Sequence, residues 1–187
     1  MRQLSTAIVL AFAMSVVLPA AIVDCGQVTL LSQVMAPSTG GDPADYGCYD
    51  QDKIYTNFYY SGTQYTPDQL PLQAYFLVIN GLDVHFLDLF SPSTSQRFTS
   101  PFQFGYIITV NTALPGNGLR RISQVGFDIL GASSGAAATK SIWVDGSAVP
   151  VVLNDGTDVL TSAESIRVLV NVTSTGFSGV RGVEDVY

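Results

Sequence analysis

Gln73–Ile79 (QAYFLVI), Asn80-Gly81 and Asp83–Phe90 (DVHFLDLF) form the stretch whose reading decides the fold. The first run is continuously apolar after Gln73. It ends at Asn-Gly, the strongest short hairpin signal, because both residues accept the positive φ of a tight primed turn. The segment after the turn has the length and β-branched or aromatic content of a partner strand. A hairpin is therefore expected here, and the same signals repeat on both sides of it.

Upstream, Lys53–Tyr60 (KIYTNFYY) has period two. Ile54, Thr56, Phe58 and Tyr60 are expected on one face, Tyr55, Asn57 and Tyr59 on the other. Downstream, Phe102–Val110, Ile122–Leu130, Ala137–Val144 and Val149–Leu153 read as strands, each closed by a Gly-, Asn- or Asp-bearing turn. Gly105 suggests a bulge within its strand. Ile166–Val172 alternates cleanly, with Ile166, Val168, Val170 and Val172 inward. Val180–Tyr187 reads as a final strand. Between Gln27 and Met35 the spacing of Val28, Leu30, Leu31 and Val34 fits one or two helical turns. Eight or nine short strands with no long helical period predict an all-β fold, an antiparallel β-sandwich, of which the jelly roll is one version. The expected core is Ile54, Phe58, Phe76, Val78, Phe86, Leu89, Ile107, Val110, Phe127, Ile129, Trp143, Val168 and Val170.

At the start of the chain, Arg2 leads into an apolar run from Ala7 to Leu18, followed by Pro19, Ala20 and Ala21. This order is that of a secretory signal peptide, assigned to residues 1–23, with cleavage near Ile22. The run is shorter than the roughly twenty residues of a membrane span. Residues 24–187 then form one exported domain with no membrane span. Formal net charge is −7, from 8 Lys plus Arg against 15 Asp plus Glu. A chain this acidic lacks the basic patch that nucleic acid or anionic lipid requires. Only 12% of residues are charged, so Ser, Thr, Asn, Gln and Gly must supply the polar surface. Two cysteines, Cys25 and Cys48, in an exported chain read first as one disulfide, contributing about 3 kcal/mol by loop entropy. A lipid-modified Cys25 would need a small residue before it, where Asp24 stands. Two cysteines alone do not make a zinc site.

Sites of chemistry are few. The single histidine, His85, shares a strand face with Asp83, but no nucleophile motif accompanies it, and no catalytic residue is assigned. Glutamates number two, Glu164 and Glu184, and most aspartates sit in turn contexts, which weighs against a paired-carboxylate hydrolase. Asp50 and Asp52, and Asp155 and Asp158, offer closely spaced loop oxygens of the kind calcium takes, without EF-hand spacing. Among the clustered aromatics, Tyr55, Tyr59 and Tyr65 are the candidates for a sugar-binding platform. Asn171-Val172-Thr173 fits the N-glycosylation pattern, which is short and frequent by chance.

The block Gly47-Cys48-Tyr49-Asp50-Gln51-Asp52-Lys53, running into the aromatic strand to Tyr60, resembles a recurring pattern of bacterial exported proteins of the PEP-CTERM type. A cysteine there precedes Asp-Lys, and another follows signal cleavage, as Cys25 does here. Gly105–Val110, the Ile122 strand and Ile166–Val172 extend the likeness. Such proteins carry a Pro-Glu-Pro tail, a hydrophobic helix and a basic cluster. This sequence stops at Tyr187 without them, so it is expected to be either a fragment or a freely secreted member. The resemblance implies a surface protein associated with exopolysaccharide and supplies no catalytic residue. The expectation is a non-enzymatic exported protein of the cell envelope or extracellular matrix, its partner an extracellular polysaccharide or itself. A carbohydrate-binding module, a self-assembling surface or fibre subunit, and a carboxylate hydrolase are the alternatives.

Overall fold

A computed structural model describes residues 22–37, 40–132, 134–176 and 179–187. The signal peptide expected at the N-terminus lies almost wholly outside the described residues. The chain forms two stacked sheets. The larger has seven strands in the order β1 (Val23–Asp24), β3 (Gly47–Asp50), β4 (Lys53–Gly62), β7 (Phe102–Val110), β12 (Ser165–Thr175), β9 (Ala136–Val144) and β10 (Val151–Asn154). The smaller has six: β11 (Thr157–Ala163), β8 (Ile122–Leu130), β13 (Gly182–Val186), β6 (Leu82–Phe90), β5 (Pro71–Ile79) and β2 (Thr29–Leu30). Every pairing is antiparallel except β1 on β3. A single helical turn, α1 (Leu31–Val34), caps one end and buries Leu31 and Val34. The expected β-sandwich is what the residues build, and no described helix is long and apolar enough to cross a membrane.

The deciding hairpin forms as read. Ile79 pairs with Leu82, and Asn80 and Gly81 take φ of 53° and 80°, the primed turn that suits the twist of the strands. On β12, Ile166, Val168, Val170 and Val172 are all buried. They face Leu72, Ala74, Leu87, Leu89, Val125, Phe127 and Val183 of the smaller sheet within one continuous apolar core. Burial of side chains of this size contributes about 1.5–3 kcal/mol each.

Four departures have physical causes. On β4, Tyr55 rather than Ile54 points inward, yet Phe58 is also buried. The register to β7 shifts between Thr56 and Tyr59, and Asn57 has φ 55°. Two residues of β4 therefore face Tyr106 alone, and this bulge reverses the face of the strand midway. The bulge lies in β4, with Gly105 beside it on β7. Phe76 and Val78 are in phase with buried Leu72 and Ala74 but are 38% and 64% exposed. The hairpin tip runs on past β2, which pairs only with Pro71 and Leu72. Phe86, Ile107 and Trp143 fall on outer faces, because Leu87, Ile108 and Ile142 beside them take the core. Finally β11, which the turn pattern after Asn154 did not announce, completes an edge of the smaller sheet.

Cys25 and Cys48 form a disulfide with Cα atoms 5.4 Å apart. It fixes a strap between the sheets. The Cys25 amide donates to the Tyr49 carbonyl of the larger sheet (3.1 Å), and the Cys25 carbonyl accepts from the Ala74 amide of the smaller (2.8 Å).

Candidate functional site

The outer face of the larger sheet is built by register. Tyr59, Gly105, Leu169 and Ser141 lie side by side on β4, β7, β12 and β9. The next row holds Thr56, Ile107, Arg167 and Trp143. Where these rows meet, Asn57, Tyr59, Gly105, Trp143, Arg167 and Leu169 line a cleft of about 460 Å³. Each wall has a local cause. The β4 bulge turns Asn57 and Tyr59 outward together. Gly105 forms the floor, where a Cβ would come 2.9 Å from the Val168 carbonyl. The Arg167 guanidinium lies 4.0 Å over the Trp143 ring, which holds the indole in place. Tyr59 is 47% exposed and its hydroxyl reaches Gln103 at 3.5 Å. No carboxylate lines this cleft among the described residues. It offers an indole, a phenol, an amide and one guanidinium.

A second cluster lies where the β3–β4 turn meets β6. His85 is 2% exposed. Its Nε2 is 3.0 Å from Asp52 and its Nδ1 3.8 Å from Asp50. Lys53 (2.6 Å) and Arg120 (3.2 Å) also reach Asp52, and Arg120 bridges on to Asp83 (3.2 Å). Burial opposes ionisation of Asp52, but His85 and Lys53 hold its carboxyl well below the usual range. Asp50, with less help, is pushed up by burial, against the pull of His85. The adjoining cleft of about 280 Å³ is lined by no described Ser, Thr or Cys. His85 thus takes Asp52 rather than Asp83 as its near partner, and the group ties the β3–β4 turn to β6.

On the outer face of the smaller sheet, Asp88, Glu184 and Asp128 stand in one row on β6, β13 and β8. Tyr75 donates to Glu184 (3.0 Å) and stacks on Phe86 at 4.7 Å. Asp88 is 4% exposed, and burial, then the charges of Glu184 and Asp185, push its carboxyl up to about 8.

The interior holds a polar seam that sequence reasoning missed. Lys140 and Asp185 have no exposure, and the Lys140 Nζ is 3.0 Å from Asp185 Oδ1. Tyr106 donates to Asp185 Oδ2 (2.5 Å) and its hydroxyl also contacts that of Tyr187. Lys140 donates to the Gly126 carbonyl (2.8 Å) and sits over the Tyr187 ring. The available signal was phase. Lys140 alternates with Ala138 and Ile142, and Asp185 with Val183 and Tyr187, all of them core positions.

Of the aromatic candidates, Tyr59 lines the cleft. Tyr55 lies in the core rather than in the cleft. It is fully buried, edge-on to Tyr106 at 6.0 Å, because the residue before the bulge faces inward. Tyr65 packs edge-on to Phe98 and donates to the Arg97 carbonyl (3.0 Å), away from Tyr59's cleft. The calcium candidates are separated. Asp50 and Asp52 surround His85. Asp155 accepts the Ile129 amide (2.7 Å), and Asp158 contacts Gln124. Among the described residues no group of three or more His, Cys, Asp or Glu is placed to hold a metal ion.

A two-sheet sandwich with an aromatic cleft on one outer face is what fold and site define. No protein-family model matches the chain, and no curated protein does. Among solved structures, the Drosophila melanogaster CENP-C cupin domain aligns at 10% identity and a TM-score of 0.23. The alignment covers 64% of this chain and 76% of that one.

Proposed function

We propose that this chain is a non-enzymatic, exported surface or matrix protein that holds an extracellular polysaccharide on the outer face of its larger sheet. The cleft between Tyr59 and Trp143 carries the reading. An aromatic ring presents a negative face to the positive C–H edge of a sugar, while Asn57 supplies an amide donor and acceptor. Arg167 spreads its charge over a plane that also hydrogen-bonds hydroxyls. The leader-like N-terminus, the Cys25–Cys48 disulfide and the PEP-CTERM-type block support an exported bacterial setting.

Trp143 is the chain's single tryptophan, so its fluorescence reports the cleft directly. Titration with neutral glucans, galactomannans and acidic alginate is expected to shift or quench that emission for at least one polymer. The same polymer is expected to retard the protein in affinity electrophoresis. Tyr59→Ala and Trp143→Ala should weaken retardation at least about tenfold, the usual scale for losing an anchoring aromatic, with the circular-dichroism spectrum unchanged. Unaltered emission and mobility across the whole panel refutes the reading.

A further inference from the structure

The Lys140–Asp185 pair is enclosed between the sheets, one residue on β9 of the larger sheet and the other on β13 of the smaller. An ion pair in such a place is a weak source of stability, because both charges lose their hydration. The hydrogen bonding here is also uneven. Asp185 Oδ2 has its donor in Tyr106, whereas Oδ1 has no aligned hydrogen bond although the amine nitrogen stands 3.0 Å away. The nitrogen is therefore in contact with the carboxyl group, and the one well-aligned hydrogen bond it donates goes to the Gly126 carbonyl. A nitrogen in contact with Oδ1 lies at most one C–O bond length further from Cγ, the atom it would attack.

We propose that Lys140 and Asp185 condense to an intramolecular amide that covalently joins the two sheets. In balance, Lys140 –NH3⁺ and Asp185 –COO⁻ give –NH–CO– and one water. The Nζ–Cγ bond forms and the Cγ–Oδ1 bond breaks. Two protons of the ammonium leave with Oδ1, and no oxidant or external activator is involved. Oδ2 stays as the amide oxygen. As negative charge gathers on it in the tetrahedral intermediate, the Tyr106 hydroxyl already points at it. The proton of Tyr106 is committed to Asp185, so the Tyr187 hydroxyl donates to Tyr106 and supports the same charge. The hydrogen left on nitrogen keeps its bond to the Gly126 carbonyl. Burial pushes the Lys140 amine down from its usual value, against the pull of Asp185, which favours the uncharged nucleophile. It also pushes both tyrosines well above theirs, so they remain donors. The product replaces two buried charges with one neutral amide and releases water to bulk.

The inference stands apart from the polysaccharide reading, since nothing in the outer cleft takes part. Its test is the intact mass of the folded, exported protein after disulfide reduction, with the N-terminus fixed by sequencing. The expected mass is one water below the sequence value, with a branched peptide joining the Lys140 and Asp185 fragments after digestion. Lys140→Arg should restore the full mass. Asp185→Asn should lose ammonia instead and arrive at the same mass as the parent. Tyr106→Phe should slow the mass change by about a hundredfold, the scale of one lost oxyanion donor. A parent protein of full mass overturns the proposal even if every variant fails to fold. So does a missing water that maps to Asp145-Gly146 or Asp155-Gly156, where it reports a backbone succinimide.

Discussion

Reducing the Cys25–Cys48 bond should cost the protein a large, calculable part of its stability. The two residues are 23 apart in sequence. The chain-entropy relation then gives about 11 cal/mol/K, or about 3.4 kcal/mol at room temperature. This corresponds to a few hundredfold in the folding equilibrium, at about 1.4 kcal/mol per factor of ten. The structure adds a reason for the full effect to appear. The strap that the disulfide fixes hydrogen-bonds to Tyr49 on one sheet and Ala74 on the other, and it is followed by α1, whose Leu31 and Val34 are buried. Urea unfolding of the parent and of the Cys25→Ser/Cys48→Ser double variant measures the difference. With a slope of about 1–3 kcal/mol per molar for a domain of this size, the midpoint should fall by about 1–3 M. Adding reductant to the parent should reproduce the variant's curve. Identical midpoints with and without the bond, at equal slopes, would refute the argument that this loop restrains the unfolded chain.

Asp88 should make the protein less stable as pH rises. Its carboxyl sits at about 8 when folded against 3.8 ordinarily, so the native state binds the extra proton between these values. Its contribution is fully present below about 4 and is lost as pH passes about 8. Asp88→Asn should flatten that slope in melting temperature against pH. Asp52 acts with the opposite sign. Its carboxyl is held below 3.8 by His85 and Lys53, so its stabilisation is present above that value and fades as the solution becomes more acidic. Asp52→Ala should cost about 3 kcal/mol or more in urea unfolding at pH 7, since buried Lys53 and His85 lose their partner. At the bulge, Asn57 has φ 55°. Asn57→Gly should leave the unfolding midpoint nearly unchanged, whereas Asn57→Val should cost about 1–3 kcal/mol.

The parts of the fold that could be read from residues were those where local chemistry and tertiary demand agree. Asn80-Gly81 dictates its turn wherever it occurs. Ile166–Val172 alternates because one face of a central strand meets the core and the other does not. The errors came from non-local causes. A one-residue insertion at Asn57 changes which aromatics face inward, and nothing in KIYTNFYY marks it. Phe76 and Val78 are apolar and in phase, but their hairpin outruns β2, its neighbour in the sheet. For the site, Tyr59 was visible as an aromatic in a strand. Trp143 was placed in the core because its strand admits either phase until Ile142 is fixed. Asp88 and Glu184 become neighbours only when β13 inserts beside β6, a pairing of residues almost a hundred apart. Lys140 and Asp185 were hidden by their charge, since ionisable side chains are rarely enclosed without a partner that the linear order does not reveal.

The position of β13 bears on how the molecule comes into being. Residues 182–186 lie between β6 and β8 rather than at an edge. Until they emerge, the smaller sheet is two separate halves, each with an open rim seeking a neighbour. Native closure of the smaller sheet therefore waits for this one segment, whichever of the other strands have already paired. Any truncation that removes this short segment should yield not a smaller sandwich but an unfinished one.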